Sequence, residues 1–258
     1  MIIDTHAHLQ SPKYKDQDIS TIIEEANSNG VELIIVNGYD VRTSIEAIEL
    51  AEKFECVYAT VGIHPSETKD IGNQELLQIE ELLNHPKVVA LGEIGLDYYW
   101  DKSFKDHMQE IFRKQIRLAK KYKLPITVHN REATNDIYNI IKEEDITDIK
   151  GVMHCFSSSY EMALKFIDLG MFISFAGPVT FKNAKTAKEV AKRVDLDKIL
   201  VETDCPYLTP HPFRGKINYP KYVKLVSEEI AEQKSISVEE VEEATTKNAK
   251  NIFYKIPS

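Results

Sequence analysis

The chain has 258 residues, 43% hydrophobic and 28% charged, a balance that supplies a sizeable core and excludes a disordered polymer. Its net charge of −9 excludes a protein that coats long duplex nucleic acid by charge alone, while leaving room for a local basic mouth. No stretch reaches the roughly 18 apolar residues of a membrane span and no cleavable leader opens the chain, so no membrane association and a cytoplasmic location are expected.

In chain order, eight short β-branched or apolar runs alternate with amphipathic stretches. The runs are IIDTH at 2–6, VELIIVNG at 31–38, CVYATVGIH at 56–64, VVALGEIG at 88–95, LPITVH at 124–129, GVMHCF at 151–156, MFISFAG at 171–177 and ILVETD at 199–204. Between the first two lies DISTIIEEANSNG, a helical pattern with Gly30 as its stop. After the fourth comes FKDHMQEIFRKQIRLAKKYK, with i,i+4 charge pairs and a basic end. The final segment from Tyr219 reads as two helices, the second entered through Ser237 with Glu240 three residues on, a capping box; both are expected to close an outer helical ring.

Eight units in 258 residues give about 32 residues each, the size of a βα module. Strict alternation, with no linker or composition shift, predicts an α/β fold of a single domain over 1–258, a (β/α)8 TIM barrel. Such barrels place their chemistry at the C-terminal ends of the strands. His6 and His8 end the first strand, His64 follows the third, Glu93 lies near the end of the fourth, and His129, His154 and Asp204 end the fifth, sixth and eighth. A lone His-x-His pair is a weak signal, equally a solvated strand end, but side chains at i and i+2 share one face of a strand and can aim at one point. Seven metal-competent side chains at the same end of six strands form a ring. His85, His107 and His211 fall outside it and read as surface or structural residues.

Four histidines and two carboxylates exceed one tetrahedral site, so two divalent cations are expected. Glu93 would bridge them. The first ion would take His6, His8, Glu93 and Asp204, and the second Glu93, His129 and His154. Such a pair activates water for hydrolysis, with Asp204 and Glu93 as the catalytic carboxylates. The cysteines Cys56, Cys155 and Cys205 are odd in number and lack CxxC spacing, which predicts reduced thiols. Strand alternation should turn Cys155 and Cys205 into the strand–helix layer.

The motifs IIDTHAHL, VGIHP, GEIGLDYYW, PITVHNREA and VETDCPYLTPHPFRGKINYP resemble those of the TatD-type metal-dependent deoxyribonucleases, along the whole chain. The resemblance implies two divalent cations (Mg, Mn or Zn), ligands at His6, His8, Glu93, His129, His154 and Asp204, and hydrolysis of phosphodiester bonds from a DNA 3′ end. Gln10 and Asn135 depart from residues common in that family, which bears on substrate preference more than on the metal site. Arg214 and Lys216 shortly after the eighth strand, Arg131 just after His129, and His64 at the mouth are candidate phosphate contacts. The run Tyr98-Tyr99-Trp100 is placed to stack an unpaired base, with Tyr99 as the candidate contact. The expected partner is single-stranded DNA or a DNA 3′ end, bound by a monomer. Two rivals remain at this level: an amide or ester hydrolase of the amidohydrolase type, and a non-catalytic binding module. No Lys ends the fourth or fifth strand to be carboxylated as a metal bridge, which disfavours typical amidohydrolases.

Overall fold

The structure, a computed structural model, describes residues 1–257. Strands of Val, Ile and Ala run through its centre: β1 (Ile2–Ala7), β2 (Val31–Asn37), β3 (Val57–Val61), β4 (Val88–Asp97), β5 (Ile126–Arg131), β6 (Gly151–Met153), β7 (Met171–Phe175) and β8 (Ile199–Val201). All pair in parallel in sequential order, and the helices that follow are α1 (Ile19–Ser28), α2 (Val41–Lys53), α3 (Asn73–Leu82), α4 (Lys105–Tyr122), α5 (Thr134–Glu144), α6 (Tyr160–Asp168), α7 (Lys185–Arg193), α8 (Val223–Lys234) and α9 (Val238–Ile252). This is a (β/α)8 TIM barrel. No helix among the described residues is long and apolar enough to cross a membrane.

Local chemistry sets the helix ends. Asp18 caps α1 by accepting the Ser20 N–H, and Gly30 beyond its end takes a φ of +87°. Ser237 and Glu240 form the expected capping box of α9. The strand-to-helix layer holds most of the apolar core, including Ile34, Val61, Phe112, Ile116, Ile137, Phe166 and Val190.

The seam between β8 and β1 is closed differently from the other seven junctions. A single bridge joins Ala7 to Cys205, supported by Asp204 N–H to the His6 carbonyl (2.8 Å) and His8 N–H to the Cys205 carbonyl (2.7 Å). The buried Asp4 carboxylate completes it by accepting the Thr203 N–H (2.9 Å), the Thr203 hydroxyl (2.6 Å) and the His6 N–H (3.3 Å). A side chain here replaces part of a backbone ladder.

Two expectations need correction. Only α8 joins the outer ring. Ala249, Ile252, Phe253 and Ile256, from the end of α9 and just beyond it, instead pack with Ile3, Ile35, Tyr58, Val89, Val152, Phe172 and Leu200, which line the barrel interior at its N-terminal end. The Tyr254 hydroxyl donates to the Lys123 carbonyl (2.9 Å) and Lys255 Nζ to the His85 carbonyl (3.4 Å), so the segment crosses beneath the barrel. The apolar side chains of that open end need cover from water, and a C-terminal plug provides it. Second, β6 and β8 stop at Met153 and Val201, so His154 and Asp204 stand past the strand ends. The backbone turns left-handed at Cys155 (φ 43°) and Asp204 (φ 57°), which ends the regular strand geometry there, although the His154 N–H still reaches the Val128 carbonyl (3.0 Å) and the Asp204 N–H the His6 carbonyl.

Because Phe253 is fully buried in the plug, Phe253→Ala should cost about 3–5 kcal/mol of unfolding free energy. Urea denaturation measures it; a loss below about 1 kcal/mol would mean that the plug contributes little.

Candidate metal centre

Glu93 is carried on a register shift in β4 between Leu91 and Ile94, where three residues of β4 span two of β5. The bulge re-aims the side chain. Two residues on, Gly95 has a φ of +140°, and a Cβ there would come 2.1 Å from the His129 carbonyl oxygen. Glycine thus lets β4 and β5 close together just where Glu93 and His129 meet.

His6 and His8 aim their rings at one point, with Nε2 atoms 3.2 Å apart. Glu93 Oε2 lies 3.3 Å from His6 Nε2 and 3.6 Å from His8 Nε2. Asp204 Oδ1 lies 3.8 and 3.3 Å from the same two nitrogens. A tetrahedral ion with bonds near 2.1 Å needs donor separations of about 3.4 Å, so the residues present fit one divalent cation. The other oxygen, Glu93 Oε1, faces a second group: His129 Nδ1 at 2.9 Å, His64 Nε2 at 3.5 Å and His154 Nε2 at 3.8 Å. One carboxylate therefore faces two sets of imidazoles.

Behind these donors stands a supporting layer. His8 Nδ1 donates to the Asn37 carbonyl at 2.9 Å, leaving Nε2 with its lone pair inward. Gln10, one of the unexpected residues, donates to the same carbonyl at 2.7 Å. Asp97 Oδ2 lies 3.0 Å from His129 Nε2, and Glu202 Oε1 lies 2.7 Å from His154 Nδ1. Glu202 also accepts the Cys155 N–H (2.7 Å) and the Ser174 hydroxyl (2.6 Å). His6 Nδ1 is buried without a partner among the described residues. Neither Asp97 nor Glu202 was singled out from sequence. Glu202 stands at i−2 from Asp204, the same alternation that pairs His6 with His8.

Electrostatics favours ligation. Burial pushes the Glu93 carboxyl up, but the facing imidazoles of His64, His6, His129 and His154 hold it well below the usual range. Burial drives the His64 ring down, to about 3, with His129 adding to the effect. Burial acts the same way on His154, yet the carboxylates of Glu202, Glu93 and Asp204 together outweigh it and raise that ring to about 10. In the metal-free protein His154 thus carries a proton that a cation must displace, so metal uptake weakens as pH falls.

These groups floor a cavity of about 790 Å³, walled in part by Tyr39, Phe156, Phe181 and Tyr207. Arg131 lines it, with its guanidinium carbon 3.6 Å over the Tyr99 ring. Tyr99 is half-exposed. Arg214 is exposed and reaches the wall through Phe181, 4.4 Å from the ring centroid. Lys216 is exposed and sits 5.8 Å from the Phe213 ring, outside the cavity lining. Cys205 is buried in the strand–helix layer as expected, but Cys155 lines the cavity, because its left-handed backbone ends the alternation that would have turned it outward. His85 and His107 bond Glu52 (3.2 Å) and the Ile71 carbonyl (3.0 Å), away from the cavity.

A family profile described as TatD related DNase matches residues 3–254. A Bacillus subtilis (strain 168) protein described as the uncharacterized metal-dependent hydrolase YabD is 51% identical over 98% of this chain and 99% of its own length. The uncharacterized metal-dependent hydrolase YcfH of Escherichia coli (strain K12) is 37% identical over 98% and 96%. The crystal structure of YjjV, a TatD homolog from Escherichia coli K12, superposes with a TM-score of 0.94 at 31% identity, covering 99% of this chain and 98% of that one. An organophosphorus hydrolase from Deinococcus radiodurans shares the fold alone, with a TM-score of 0.67 at 11% identity over 98% of this chain and 92% of that one.

Glu202→Gln keeps the shape at His154 but removes the charge behind it. Metal affinity should fall about 10- to 100-fold with the fold intact. Titration of chelator-treated protein, read by elemental analysis and circular dichroism, measures both; unchanged affinity would remove Glu202 from the metal centre.

Proposed function

The chain belongs to the TatD related DNase family and is a metal-dependent hydrolase, and from that premise we propose that it is a deoxyribonuclease acting at DNA 3′ ends. The observation that carries this reading is the Glu93 carboxylate facing two imidazole groups on the floor of a cavity that Arg131 lines. In it, His6, His8, Glu93 and Asp204 would hold one divalent cation, and Glu93, His129 and His154 would hold a second. Two such cations (Mg, Mn or Zn) supply an activated water and offset charge on the phosphoryl oxygens.

The remaining roles belong to the chain itself. Asp204 offers its second carboxylate oxygen as the acceptor for the proton released on attack. His64 Nδ1 accepts the Ser66 N–H at 3.1 Å, which leaves the ring proton on Nε2, facing the cavity floor as a donor to a phosphate oxygen. Arg131 is the nearer guanidinium for the scissile phosphate. Arg214 and Lys216 attract the strand at the rim, and Tyr99 contributes an aromatic contact. A monomer is the proposed working form, and the cytoplasm the proposed location.

A second reading, hydrolysis of an amide or ester, is favoured by one feature: Phe156, Phe175, Val179, Phe181 and Leu208 give the cavity an apolar wall. End-labelled single-stranded DNA, RNA and an amide panel, assayed with metal-reconstituted protein, separate the two. Turnover of amides with no cleavage of DNA would replace the nuclease reading.

Two conservative substitutions divide the carboxylate roles. Glu93→Gln should lower occupancy of both ions, because a neutral amide replaces a charged shared ligand. Asp204→Asn should retain much of the metal while kcat falls roughly 10²-fold or more. Elemental analysis and single-turnover cleavage read the contrast. Two ions per chain in Glu93→Gln, or a wild-type rate in Asp204→Asn, would each cancel the corresponding assignment. Arg214→Ala should raise KM for DNA and reduce the salt slope by about 1 without changing metal content; unchanged kinetics would take Arg214 out of the substrate path.

A further inference from the structure

The chain has one tryptophan, Trp100, and 73% of it is exposed. Tryptophan is usually well buried, so an indole left in water invites an occupant. Its loop is also held in place. Asp97 Oδ1 accepts the Tyr99 N–H at 2.9 Å, the buried Tyr98 donates its hydroxyl to Asp136 Oδ2 at 2.8 Å, and Asp101 Oδ1 accepts the Ser103 N–H at 2.8 Å. Tyr99 meets Trp100 edge to face, with centroids 4.8 Å apart and planes at 86°. The indole is thus presented on a pinned turn.

Arg131 connects this turn to the cavity. Its guanidinium carbon lies 3.6 Å from the Tyr99 centroid and 5.3 Å from that of Trp100, while Arg131 itself lines the cavity two residues beyond His129. Asp97, which holds the Tyr99 amide, also holds His129. The guanidinium covers one face of Tyr99, so the larger open aromatic surface belongs to Trp100.

We infer that Trp100 is the stacking surface for an unpaired base of the substrate strand, with Tyr99 as its backing and Arg131 gripping the adjoining phosphate; this rests on the deoxyribonuclease reading. A base in duplex already has both faces stacked, whereas an unpaired base has a free π-face, and base–aromatic stacking tolerates any sequence. The platform therefore selects single-stranded or frayed ends. An exposed aromatic can also anchor a protein partner, but a guanidinium shared between that aromatic and the proposed phosphodiester site favours a nucleotide.

Trp100 is its own reporter. Metal-loaded protein titrated with a phosphorothioate thymidine oligonucleotide should show tryptophan quenching at a concentration about tenfold or more below that needed with an abasic strand of equal length or a blunt duplex. Arg131→Ala should weaken the response. In cleavage of end-labelled single-stranded DNA, Trp100→Ala should raise KM about tenfold with metal content and circular dichroism unchanged, and Trp100→Phe should stay within about threefold of wild type; wild-type protein is assayed in parallel on the small phosphodiester bis(4-nitrophenyl) phosphate. Equal quenching by thymidine and abasic strands, or an unchanged KM in Trp100→Ala, overturns the platform. If wild-type protein hydrolyses the small phosphodiester but no DNA, the nuclease reading fails, and the fluorescence titration still decides the platform: a thymidine-selective response supports it and its absence overturns it.

Discussion

Five of the eight histidines point a ring nitrogen at one buried carboxylate, Glu93, at distances from 2.9 to 3.8 Å. A carboxylate so buried is costly unless opposite charge or strong donors surround it. The same argument limits the imidazoles, since five protonated rings could not crowd together. Burial and neighbouring rings push His6 and His64 down, so these two stay neutral. His8, His129 and His154 are raised instead by the carboxylates beside them, so a divalent cation entering the cluster takes the place of protons there.

That constraint propagates outward. Each ring that faces Glu93 must present the correct nitrogen, and for three of them a partner on the far side determines which one does so. The Asn37 carbonyl turns His8, Asp97 turns His129 and Glu202 turns His154. The seam at β8 and β1 serves the same end, because Asp4 ties the His6 backbone to Thr203, the residue before Asp204. Two ligands that are far apart in sequence are thereby fixed relative to each other by a side chain where the barrel lacks a ladder.

Much of this was legible in sequence for one physical reason: strands of period two ending at the same face of a barrel leave a readable mark. His6 and His8 converge as their spacing requires, and the eight runs became eight strands. What stayed hidden depends on departures from regularity. The bulge that aims Glu93, the left-handed turn that brings Cys155 to the cavity and the crossing of α9 beneath the barrel are tertiary outcomes with no periodic signal. Glu202 is a different case. It sat within a recognised motif, two residues from Asp204, but a buried acid is indistinguishable from a solvated one until its partners are known.

The separation of the two barrel ends reconciles an acidic protein with the proposed phosphodiester substrate. One end is sealed by Phe253 and Ile256, so stability there is independent of the polar floor at the other. At the open end, three cations lie against aromatic rings around the mouth: Lys13 over Tyr207 (4.1 Å), Arg131 over Tyr99 (3.6 Å) and Arg214 over Phe181 (4.4 Å). Ring contacts restrain these side chains without neutralising them, as a carboxylate partner would. With a net charge of −9 on the whole chain, a long duplex lying along the surface meets repulsion over most of its length. A strand end directed into the mouth meets the restrained cations first, and that geometry favours entry by an end over binding along a side.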